Sequence, residues 1–177
     1  GGTGVIVIDA SILTGVFCEE AAAGSALSEI EAVGSGVGAT AGSSGLVAPD
    51  FVTLELANAV ISNRRRVARR DGATGAHGGS ERLYSMPAAL LADEIRRRLA
   101  LVDLVLEPAI TERRLARALQ IAELHRLSMY DACSIALAEE LRATLATLDA
   151  AMQAAARELG IPVLPALGKR DADAGRN

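Results

Sequence analysis

Apolar residues recur along the chain with two periods, and the switches between them mark out its elements. Val5-Ile6-Val7-Ile8 is a short continuous run of β-branched residues, as in a parallel strand covered on both faces. A helix is expected over residues 11–32, followed by a Gly, Ser and Ala-rich loop at 33–45 and a very short strand at 46–48. Pro49 and Asp50 open a helix that runs through Arg70, with Val52, Leu56, Ala59 and Val60 as its apolar stripe. After a second loose loop at 71–80, the pattern predicts a helix at 87–100 and a strand at 101–106. Thr111 caps a helix over 112–126 whose stripe is Leu115, Leu119 and Ala122. A helix at 131–141 is apolar nearly all round, hence buried. A strand at 144–148, a helix at 150–159 and an edge strand at 162–164 complete the series. Strands alternating with helices predict one mostly parallel, three-layer α/β domain over residues 1–167, with a disordered tail at 168–177.

Composition narrows the picture. Half of the 177 residues are hydrophobic, but the aromatics are only Phe17, Phe51, Tyr84 and Tyr130. Base-stacking platforms are therefore nearly absent, and contact with nucleic acid is expected to rest on phosphates. Eighteen basic residues face 22 acidic ones, for a net charge of −4. That balance argues neither for nor against a polyanionic ligand. Cys18 and Cys133 stand alone in apolar helical stretches and read as buried reduced thiols. No apolar run approaches the length of a membrane span, and no leader pattern is evident, so a cytoplasmic protein is expected.

Four acids stand where apolar elements end or begin. Asp9 closes the first strand, Glu55 borders the stripe of its helix, Asp131 heads the 131–141 helix, and Asp149 follows the 144–148 strand. Each has an ordinary explanation: a helix cap for Asp9, Asp131 and Asp149, a solvated helix residue for Glu55. Together they suggest more, because carboxylates packed close raise one another's pKa unless a cation joins them. Two competing readings of Asp9 fail on specific residues. A phospho-aspartyl enzyme of the haloacid-dehalogenase type needs a second Asp where Ser11 stands, and a response-regulator receiver needs a Lys on a late strand, whereas Lys169 lies in the tail. Arg64, Arg65, Arg66, Arg69 and Arg70 form the densest basic cluster, and by helical phase Arg66 and Arg69 share a face with Glu55. They are candidates for phosphate contacts or a solvated helix end. Arg96–Arg98, Arg113, Arg114 and Arg117 read as surface charge, and His77 and His125 as surface residues. Gly34, Gly36 and Ala39 resemble a dinucleotide fingerprint, but they follow a helix rather than a strand.

Val7-Ile8-Asp9-Ala10-Ser11, Ala48-Pro49 with Glu55-Leu56-Ala57-Asn58-Ala59, Leu127-Ser128-Met129-Tyr130-Asp131-Ala132 with Ala136-Leu137-Ala138, and Leu145-Ala146-Thr147-Leu148-Asp149 together resemble the PIN domain, most closely the VapC toxins of bacterial toxin–antitoxin pairs. The likeness spans Val5 to about Leu164, with the motifs in the family's order. It implies a parallel sheet of about five strands flanked by helices, and a Mg²⁺- or Mn²⁺-dependent endoribonuclease leaving 5′-phosphate and 3′-hydroxyl ends. Asp9, Glu55, Asp131 and Asp149 would hold the metal, supported by the hydroxyls of Ser11 and Thr147 and the amide of Asn58. A small antitoxin, a homodimer and an RNA substrate are the partners implied. The loops at 33–45 and 71–80 are longer than compact toxins of this type need. A PIN-fold nuclease for RNA processing or DNA without an antitoxin, and a non-enzymatic PIN-like binding module, remain as alternatives.

Overall fold

The computed structural model of the protein describes residues 4–17, 30, 45–70, 86–102 and 104–165, apart from the side chains of residues 16 and 66–70. Most of the loops expected at 33–45 and 71–80, the tail from 168, Cys18, His77 and the Arg66 and Arg69 side chains lie outside the described residues. In chain order the elements are β1 (Ile6–Ile8), α1 (Ala10–Phe17), β2 (Leu46–Pro49), α2 (Val52–Arg70), α3 (Ala88–Leu101), β3 (Val105–Glu107), α4 (Glu112–His125), α5 (Met129–Leu141), β4 (Thr144–Ala146), α6 (Ala150–Glu158) and β5 (Val163–Leu164).

The five strands form one sheet in the order β3-β2-β1-β4-β5, with every neighbouring pair parallel. Alternation along each strand divides the core in two. Val7, Val47 and Leu145 face α5 and α6, packing with Ile135, Leu137, Met152 and Ala156. Ile6, Ile8, Leu46, Ala48 and Ala146 face the other way, onto Ile12 and Leu13 of α1 and Val52 of α2. A third cluster joins Phe17, Leu56 and Val60 to Leu91 and Ile95 of α3. This is the three-layer α/β arrangement that the alternating pattern predicts. The helix α5 is buried on every residue from Ala132 to Ala138, as its all-round apolar sequence requires. At Gly45 the backbone has φ +65°, and a Cβ there would lie 2.7 Å from the Gly4 carbonyl oxygen. Glycine is thus required where β2 starts beside β1.

Several boundaries differ from the sequence reading. Pro49 ends β2 rather than opening a helix, pairing with Glu107 of β3, and α2 begins at Val52. The Asp50 carboxylate instead accepts a bond from the Ala109 backbone N–H at 3.1 Å, fastening the segment after β3. Leu101 belongs to α3, not to a strand, and β3 is only Val105–Glu107. The 3.6-residue spacing of Leu91, Ile95 and Leu99 carries the helix to the end of the apolar run. On α4 the buried face is Arg114, Ala118 and Ile121, whereas Leu115 and Leu119 are 38% and 48% exposed. Arg114 is not surface charge: it lies against α5, its Nε 2.9 Å from Glu140, and also donates to the Pro108 carbonyl. His125 is not a surface residue either; only 10% of its side chain is exposed, with Nδ1 3.4 Å from Glu158. Cys133 is buried, and that burial pushes its thiol pKa up. Among the described residues no helix is long and apolar enough to cross a membrane.

Candidate active site

The strand order reverses at β1: the chain adds β2 and β3 on one side of it, then β4 and β5 on the other. Beyond the carboxyl ends of β1 and β4 such a reversal leaves a crevice, the usual ligand position in an open parallel sheet. Topology sends all four acids to this edge. Asp9 directly follows β1 and Asp149 lies three residues past the end of β4. Glu55 is in the first turn of α2, which leaves the carboxyl end of β2, and Asp131 is in the first turn of α5, which runs back toward β4. First-turn positions also favour a carboxylate through the helix dipole. The edge holds a pocket of about 700 Å³ lined by Ser11, Glu55, Asn58, Tyr130 and Asp149, among others. No basic side chain lines it among the described residues.

Asp9 is nearly buried, at 6% exposure, and its hydrogen bonds converge on one oxygen. Oδ2 accepts from the Ser11 backbone N–H (3.1 Å), the Ser11 hydroxyl (2.6 Å) and the Thr147 hydroxyl (3.0 Å). The backbone bond makes Asp9 the cap of α1 as well. Ser11 in turn accepts from the Leu148 N–H at 2.9 Å, and Thr147 from the Asp149 N–H at 3.1 Å. The β1 and β4 ends are thereby tied together through side chains. Burial raises the Asp9 pKa; the bonds from Ser11 and Thr147 oppose the rise, and the Asp131 charge adds to it.

The other acids are held differently. Asp149 caps α6, its Oδ1 accepting from the Met152 N–H at 2.9 Å. Asp131 is not the cap of α5; Ser128 is, and it exchanges bonds with Asp131 by accepting from its N–H and donating to its carboxylate at 2.7 Å. Glu55 is half-buried and receives no hydrogen bond among the described residues. Desolvation, followed by the charges of Asp9 and Asp131, pushes it up to about 7. Asp9, Glu55 and Asp131 are therefore near enough to feel one another's charge, whereas Asp149 is linked to Asp9 through its backbone N–H and the Thr147 hydroxyl. Of the four acids, Glu55 and Asp149 line the pocket and Asp9 and Asp131 do not. Ser11 and Asn58 line the pocket, and Thr147 is fully buried beneath it.

This donor set consists only of hard oxygens, carboxylate, hydroxyl and amide, which suits Mg²⁺ or Mn²⁺ better than softer metals. Among the described residues no three acids, cysteines or histidines lie close enough to share one ion directly. Mg²⁺ is commonly held by one or two carboxylates and several waters, so the set still fits such a cation. Glu55 is half-buried and has no donor among the described residues, so a cation would relieve its charge.

Sequence reasoning overlooked two participants. Tyr130 lines the pocket, and its ring meets Phe51 edge-on, with centroids 5.1 Å apart and planes at 78°. Its place directly before Asp131 was the available signal. Gln153 is fully buried, and its amide donates to the Thr147 carbonyl at 2.7 Å, steadying the residue that holds Asp9. Nothing in a Gln on a helix announces that contact.

A family model for the PIN domain matches residues 6–158. No curated protein matches the chain.

Proposed function

The chain belongs to the PIN domain family, whose members are generally nucleases and typically use divalent metals, and from that premise we propose that it is a Mg²⁺- or Mn²⁺-dependent endoribonuclease, the toxin of a type II toxin–antitoxin pair. The observation that carries the reading is the arrival of Asp9, Glu55, Asp131 and Asp149 at one sheet edge, where Glu55 and Asp149 line a pocket that has no basic side chain among the described residues. Asp9 and Glu55 are the principal holders of the cation, with Asp131 and Asp149 completing the negative field. A cation bound there supplies a water acidic enough to attack at neutral pH and offsets charge on the phosphoryl oxygens. Ser11 and Thr147 fix the Asp9 carboxylate through Oδ2, which leaves its Oδ1 without a competing donor among the described residues. Asn58 offers an amide at the pocket wall. RNA as substrate, a small antitoxin over the pocket and a homodimer belong to the same proposal. So do phosphate contacts from Arg66 and Arg69, which lie on α2 beyond Glu55.

The test is cleavage by the purified chain of an RNA with stems and loops, against DNA, with and without Mn²⁺. Mn²⁺-dependent RNA cleavage that disappears in Asp9→Asn is the expected result. Cleavage that survives in the variant belongs to a contaminant and removes the enzymatic reading. Growth arrest on expression, relieved by a small co-expressed partner, is expected of a toxin; its absence would leave a nuclease of the same fold without an antitoxin.

A further inference from the structure

Two of the four aromatic residues in the chain pack against each other, and one of them, Tyr130, lines the acidic pocket. Tyr130 lines it beside Glu55, Asn58 and Leu54. Its ring is braced edge-on by Phe51, which is itself packed against the core. Yet Tyr130 remains 57% exposed, and Leu54 on the same pocket is 73% exposed. The surrounding core is aliphatic, so neither side chain is needed to fill it. A ring held by a T-shaped contact keeps little rotational freedom, and less is lost when a second flat surface stacks on it.

We propose that Tyr130 is a specificity-determining residue, the stacking platform for one unpaired base of the substrate strand, with Leu54 adding apolar surface to the same seat. This rests on the nuclease reading and sharpens it. A base lying on Tyr130 has left its duplex stack, so the substrate is a single strand or a loop. Every base has a π-face, so the platform selects strandedness more than sequence. It also revises the expectation that contact with nucleic acid rests on phosphates alone.

The test is binding of a single-stranded oligoribonucleotide carrying 2-aminopurine, whose fluorescence falls on stacking, compared with the duplex of the same sequence. Tyr130→Phe keeps affinity within about twofold and keeps the quenching, whereas Tyr130→Ala and Tyr130→Leu lose about tenfold or more in affinity and lose the quenching. Tyr130→Leu retains apolar bulk against Phe51, so a fold lost in the Ala variant does not decide the matter. Mn²⁺ affinity stays at the wild-type value in all three. Unchanged affinity and quenching in Tyr130→Leu would overturn the platform while leaving the nuclease intact, as would duplex bound and cut as well as single strand. Quenched binding by a wild type that cuts nothing would support the platform and overturn the hydrolytic reading. A protein partner released by Tyr130→Leu while RNA binding is unaltered would assign the ring to protein docking instead.

Discussion

The two walls of the pocket are built on different principles. On the strand wall, Asp9 accepts three bonds on a single oxygen, and Ser11 and Thr147 pass the network on to Leu148 and Asp149. Gln153 holds the Thr147 carbonyl from behind. On the helical wall, Asp131 has only its exchange with Ser128, and Glu55 has no donor among the described residues. One wall is fixed before anything binds. The other carries charge that a ligand must satisfy. A nuclease needs both: a carboxylate whose position does not depend on substrate, and a site that favours the cation enough to recruit it.

Removing the fixed carboxylate tests the first half of that contrast and carries the largest effect. Thr147→Val deletes one donor to Asp9 and one acceptor for the Asp149 N–H, so Mn²⁺ affinity falls about 10- to 100-fold, as for other outer partners of a metal site. If Asp9 holds the cation as proposed, Asp9→Asn removes a ligand itself and loses more than about 100-fold. Calorimetric titration of Mn²⁺ reads both. Because Asp9 is a buried acid with a raised pKa, the metal-free Asp9→Asn protein melts no lower than wild type at neutral pH. Wild-type Mn²⁺ affinity in Thr147→Val would mean that the strand wall is not held by this network.

The helical wall makes a prediction in pH. Glu55 stands at about 7 in the fold against an ordinary 4.5. Below 4.5 it is protonated in both folded and unfolded chains and its stabilising difference is fully present. As pH rises from there through 7, the unfolded chain ionises first, and stability is lost. The loss is on the order of 2 kcal/mol once partial exposure is allowed for. Thermal melts of the metal-free protein should fall across that window, and Glu55→Gln should flatten the fall without abolishing it, since Asp9 contributes in the same direction. Saturating Mn²⁺ should lift the melting temperature most at the upper end. A profile as steep in Glu55→Gln as in wild type would place the strain elsewhere.

What the sequence disclosed follows the range of the forces involved. Asp9 and Asp149 were visible because each ends a short apolar run, a local signal, and strand–helix alternation was enough for the layer architecture. Strand order was not legible: nothing within Ile6–Ile8 says that Thr144–Ala146 lies against it. The stripe of α4 was misread for a related reason. Leu115 and Leu119 share one face and Ala118 and Ile121 another, and hydrophobicity alone favours the leucines. The buried face is set by α5, where Glu140 receives Arg114 and the small Ala118 permits close approach. An ion pair between residues 26 positions apart leaves no periodic trace. Tyr130 was hidden by its rarity, since four aromatics in a chain argue against a stacking surface until two of them are found together.

The smallest effect separates two duties of one residue on the strand wall. Asp149 caps α6 through its bond from Met152 and also lines the pocket. Asn caps a helix about as well as Asp, so Asp149→Asn should change stability by only a few tenths of a kcal/mol, whereas Asp149→Ala should cost about 1 kcal/mol. Urea melts of the metal-free proteins distinguish them. Mn²⁺ titration of the same pair then asks what the charge adds. If Asp149 contributes to the negative field, both variants bind Mn²⁺ more weakly, and Asn is no better than Ala despite its intact cap. If only Ala weakens binding, the residue acts by holding the start of α6 in place. The fixed wall would then present a single acid, Asp9, to the metal.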